Sequence, residues 1–65
     1  MDIATDFRIV KRNEAIARAE KAEAMAAQGG DSYYDAPAYL VMAARSRAFA
    51  AWVDEKIRSF PKAAA

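Results

Sequence analysis

Two pairs of carboxylates come nearest to a catalytic pattern in this chain: Asp31 with Asp35, and Asp54 with Glu55. Paired acids can divide general-acid and general-base work, but only in a pocket that drives their proton affinities apart. Neither pair is placed for that. Asp31 and Asp35 fall in a connecting segment and at a helix start, where Asp accepts from free backbone N–H groups. Asp54 has Arg58 one helical turn further on, the spacing of a surface ion pair. The chain contains no Cys and no His. Thiolate chemistry, disulfides and the commonest metal ligand and proton shuttle are therefore absent. The expectation is a non-enzymatic protein without catalytic residues, cofactor or metal.

The basic residues offer a second chemistry. Arg45 and Arg47 flank Ser46, and Arg8, Lys11 and Arg12 cluster near the N-terminus. Guanidinium forks suit phosphate, and Tyr33 and Tyr34 could stack on bases. A small regulator binding nucleic acid through these groups is the alternative function. Against it, ten basic residues are balanced by nine acidic ones, so no general attraction to a polyanion exists. Glu14, Glu20 and Glu23 similarly offset the basic cluster as a membrane-surface helix. Nucleic acid and membrane are both disfavoured as partners.

The elements that would carry these residues are helical. Alanine, the best helix former, dominates, while the glycines and prolines are confined to 29–30, 37 and 61. Tyr39, Met42, Ser46, Phe49, Val53, Ile57 and Phe60 recur at steps of three and four, one face of a helix over about 36–60. Asp35 caps its start, Pro37 is tolerated in its first turn, and Pro61 ends it. A buried Phe49 on this stripe would cost about 3–5 kcal/mol on truncation to Ala. Upstream, residues 13–28 are nearly all strong helix formers, ended by Gly29-Gly30. A helix over about 3–28 is favoured over one starting at Asn13, because a lone strand at 7–10 would have nothing to pair with. Residues 29–35 form the linker, and 61–65 a frayed tail. The expected fold is all-α: one domain, an antiparallel two-helix hairpin.

Such a hairpin cannot easily cover itself. A chain of 65 residues supplies only about 3–5 kcal/mol from one core, and small folds commonly add association. Helix one carries Ile3, Val10, Ala17 and Ala24 seven apart, with Ile9 and Ile16 as a second ridge. Two ridges predict two neighbours, met by a four-helix bundle formed through self-association, a homodimer above all, or by docking on a partner protein. In outline the hairpin resembles Rop-like dimeric bundles, a likeness of fold that carries no function. The expected interface comprises Tyr33, Tyr34, Tyr39, Met42, Phe49, Trp52, Val53, Ile57 and Phe60, with Ile9 and Ile16. Amphipathic aromatics of this kind are enriched where two proteins meet. The longest uncharged stretch, 36–44, is far short of the roughly 20 residues of a membrane span, and no signal-peptide pattern opens the chain. A cytoplasmic interaction module, or an accessory subunit of a larger bacterial or phage complex, is the function expected.

Overall fold

The computed structural model describes residues 6–61. Two helices, α1 (Phe7–Ala27) and α2 (Ala36–Ser59), pack antiparallel as a hairpin, with no strand among the described residues.

α1 starts one turn later than the residue pattern predicts. Asp6 is extended (φ −65°, ψ 118°), and its carboxylate accepts from the Arg8 N–H at 2.9 Å. Its carbonyl accepts from Ile9 and Val10 at 2.9 and 3.3 Å, so Phe7 is the first helical residue. The earlier part of the expected helix, 3–5, lies outside the described residues, as does most of the expected frayed tail.

The turn between the helices is built from backbone geometry. The Gly30 N–H reaches back to the Met25 carbonyl at 2.9 Å and the Gly29 N–H to Ala26 at 3.0 Å. This pair of bonds satisfies the last carbonyls of α1 and requires left-handed residues beyond the helix end. Both glycines supply them, at φ 93° and 87°. At Gly30 a Cβ would also press into the Tyr34 carbonyl oxygen and the Asp35 backbone. Asp35 then restarts the helix by accepting from the Ala38 N–H at 3.0 Å, with Pro37 in the first turn.

The seam between the helices is made of small residues. Ala15, Ala19 and Ala22 on α1 meet Ala43, Ala50 and Val53 on α2, and these are the buried residues. Tyr39 and Met42 pack against Ala19, Ala22 and Ala43, the part of the seam nearer the turn. The heptad facing α2 is thus the one through Ala15 and Ala22, and the expected one through Ala17 and Ala24 is turned outward. Methyl-sized side chains let two helix backbones approach closely, and a close approach leaves no room for large side chains between them. Phe49 and Phe60, expected in the buried stripe, are therefore 40% and 64% exposed. The hairpin gives Phe49 no burial on the scale a cost of several kcal/mol requires. Leu40, Val41, Trp52 and Phe7 are exposed as well.

Polar ties hold the open end and the flanks. Arg8 grips Asp6 and donates to the Phe60 and Lys56 carbonyls at 2.8 and 3.3 Å. One guanidinium thereby joins the start of α1 to the Phe60 carbonyl and to the Lys56 carbonyl, which also accepts from the Phe60 N–H at 2.8 Å. Arg12 pairs with Asp54 at 2.8 Å, and Arg47 holds Glu23 with two bonds of 2.6 and 2.8 Å. Asp54 consequently does not pair with Arg58, as its spacing predicts; Arg58 turns to Glu55 at 2.9 Å.

Two predictions follow from turn and seam. Gly29→Ala should cost about 1–2 kcal/mol for its left-handed backbone. Gly30→Ala should cost more, since its methyl also meets backbone; thermal melts of the two variants check the order. Ala19→Leu should separate the helices and cost about 1–3 kcal/mol. At concentrations where the chain is monomeric, Phe49→Ala should lower the melting temperature less than Ala19→Leu does.

Candidate functional site

One flank of the hairpin gathers Phe7, Phe49, Trp52 and Phe60, half of the large hydrophobic side chains that are exposed among the described residues. On α1, Phe7, Lys11, Glu14, Arg18, Lys21 and Met25 recur at alternating steps of four and three, so they share one side. On α2, Met42, Arg45, Phe49, Trp52, Lys56 and Phe60 also follow steps of three and four, and share one side. A groove of about 610 Å³ joins the two sets, because Arg18, Lys21 and Met25 line it from α1 and Met42 and Arg45 from α2. Its floor is Ala22, Met25, Tyr39 and Met42.

Below the groove the flank is aromatic. The Phe49 and Trp52 rings lie 6.0 Å apart. The Lys56 ammonium sits 5.6 Å from the Trp52 ring centre and 5.5 Å from that of Phe60. Lys11 covers Phe7 in the same way at 5.2 Å. Cations over ring faces are attracted by the ring quadrupole and shield part of the apolar surface. Trp52 nevertheless remains 56% exposed.

The charges divide between the two sides of the hairpin. Arg18, Lys21 and Arg45 have no ion-pair partner among the described residues. The other side carries Ile9, Ile16 and Glu23, seven apart on α1. There the Arg47 fork holds Glu23 ionised, pushing that carboxyl below its ordinary value. Ser59 and then Arg58 do the same for Glu55.

The expected interface residues are dispersed by this arrangement. Met42, Phe49, Trp52 and Phe60 come together on the flank just described. Val53 belongs to the seam and, at 3% exposure, is closed to any partner, which removes it from the expected surface. Ile57 is half-buried beside it, and Ile9 and Ile16 are half-buried on the opposite side. Tyr33 and Tyr34 protrude from the linker. Tyr39 is half-buried at the groove floor, its ring edge-on to Tyr34 with centres 5.6 Å apart. Phe7, Met25, Arg18 and Lys21 are the members that a search for large apolar stripes on α2 passes over. Their own alternating spacing is the signal that marks them.

Asp31 and Asp35 serve the linker and the start of α2. Asp31 accepts from the Tyr33 and Tyr34 N–H groups at 2.9 and 3.0 Å, and from the Tyr39 hydroxyl at 2.6 Å. These bonds hold the Asp31 carboxyl below its usual range, Tyr39 contributing most. The same hydroxyl bond, with desolvation and the nearby carboxylate charge, pushes Tyr39 up to about 12. No cluster of three acidic residues able to hold a metal occurs among the described residues. No described helix is long and apolar enough to cross a membrane. No protein-family model, curated protein or solved structure matches the chain.

The Tyr39–Asp31 bond has a readable pH dependence. Tyr39 is raised, so its contribution is complete below its ordinary value of 10.0 and is lost as pH rises through about 12. Asp31 is depressed, so its contribution is complete above 3.8 and is lost as pH falls through its lowered folded value. Subtracting the phenolate absorbance titration of Tyr39→Phe from that of the wild type should give a midpoint near 12.

Proposed function

We propose that this chain is a small non-enzymatic interaction or assembly module, an accessory subunit that completes a helical bundle with its partner. One observation carries the reading: the seam buries nothing larger than Val53 and leaves Phe7, Val41, Phe49, Trp52 and Phe60 exposed. Exposed apolar surface of this kind marks a binding site more often than it decorates a soluble monomer. The shape agrees. The hairpin measures 48 × 24 × 14 Å, so it is one helix thick. Stable domains pack at least two layers, and a second layer against this slab must come from elsewhere. Another hairpin of the same chain or helices of a different protein would both supply it.

Nucleic-acid binding is the second reading, favoured by the unpaired Arg18, Lys21 and Arg45 together. It is weakened because Arg8, Arg12 and Arg47 of the expected contact set are held within the hairpin. Binding that falls steeply with salt, with a slope reduced in Arg45→Ala, would support it over the first reading.

The test of the module is assembly without loss of fold. The wild type purified from its own cell should sediment above monomer mass, alone or with a second protein. Phe49→Ala combined with Trp52→Ala should release a monomer of unchanged helicity, because neither side chain belongs to the seam. A wild-type monomer whose melting is independent of concentration, and which brings no second protein, would remove the proposal.

A further inference from the structure

We infer that the occupant of this flank is an acidic amphipathic helix of another protein, and that the flank disfavours a second copy of this chain. The inference rests on the interaction-module reading and gives its partner a chemistry.

Charge is the first argument. The chain as a whole carries a formal net charge of only +1. Yet the flank and its groove place five cations, Lys11, Arg18, Lys21, Arg45 and Lys56, against two carboxylates, Glu14, which lies 3.4 Å from Lys11, and Asp31, which lines the groove and accepts from the Tyr39 hydroxyl. The balancing acids are elsewhere: Asp6, Glu23, Asp54 and Glu55 are held by Arg8, Arg47, Arg12 and Arg58. A chain near neutrality thus presents one basic surface. A two-fold dimer is isologous, so pairing through this flank would set its cations against the same cations. Like charges brought together across an interface cost affinity and suppress that pairing.

Shape is the second argument. The groove is concave, its floor is apolar and rich in Met, and its unpaired cations stand on both walls, Arg18 and Lys21 on α1 and Arg45 on α2. A helix lying lengthwise between α1 and α2 meets those requirements. Its apolar residues at i, i+3, i+4 and i+7 would enter the groove, and Asp or Glu beside them would reach the walls. Met adapts its shape to such side chains. A flat membrane surface would leave the groove unfilled. Phosphate groups of a nucleic acid would satisfy the walls and leave Met25 and Met42 without apolar contact.

The experiment uses the full chain and two synthetic helical peptides of equal length. Both carry Leu at i, i+3, i+4 and i+7; one has Glu at the remaining positions next to that stripe, the other Gln. Titration followed by Trp52 emission should show the Glu peptide binding about tenfold or more tightly than the Gln peptide, with the gap closing as salt rises. Arg18→Gln with Arg45→Gln should remove most of that preference and leave the Gln peptide's affinity unchanged. Met25→Ala with Met42→Ala should weaken both peptides. Equal affinities for the two peptides, or tighter binding to phosphatidylserine vesicles than to the Glu peptide, would overturn the inference. So would self-association of the wild type with no binding of either peptide, an outcome that leaves the interaction module standing. A monomer that binds neither peptide, and that brings no second protein from its own cell, would remove both.

Discussion

Close approach of two helices through alanine is the constraint on which the rest of this structure depends. Ala15, Ala19 and Ala22 against Ala43 and Ala50 bring the backbones together, and only Val53 adds bulk among the buried side chains. Methyl groups remove little apolar area from water, so the seam contributes modestly to stability while fixing a narrow separation. Every large side chain is then excluded to a flank or to the outer surface. The exposed aromatics are a geometric result of how the helices meet, as much as a property of the helix that bears them.

That exclusion sorts the hairpin into two unlike sides. On one, Arg47 and Glu23 face each other and their charges cancel locally. On the other, cations stand over aromatic rings or beside the groove with little to neutralise them. Both helices contribute to each side, so this asymmetry is a property of the folded pair and of neither helix alone. A surface that is apolar in its floor and basic along its edges asks more of a partner than hydrophobicity. It also requires opposite charge at matching positions, which is where discrimination between partners arises.

Features set by local backbone chemistry are legible in the residues. Gly29-Gly30 can end a helix in a left-handed turn, Asp35 with Pro37 can begin one, and the steps of three and four along 39–60 declare a helix. Which way that helix faces is not legible in the same manner. Weighing side chains by size selects Phe49 and Phe60 as core, whereas α1 opposes them with a small-residue seam and turns them outward. The ties of Arg8 and Arg12 are hidden for a different reason. Their partners lie far along the chain, and only the antiparallel register of the pair brings Arg8 to the end of α2 and Arg12 to Asp54. The candidate flank is half visible: its α2 members stand out by aromaticity, and its α1 members only by their spacing.

Alanine has no side-chain torsion with which to select a rotamer, and a seam of alanines therefore behaves as a smooth bearing. Interlocking knobs normally prevent one helix from sliding or rolling against another, and here few exist. Alignment must come from outside the seam: from the glycine turn at one end, the Arg8 strap at the other, and the Arg12–Asp54 and Arg47–Glu23 pairs between them. These pairs are partly or largely in water, where salt screens them. Ionic strength should thus act on the registration of the two helices more than on their helical content. The groove, whose walls come from both helices, would lose definition first.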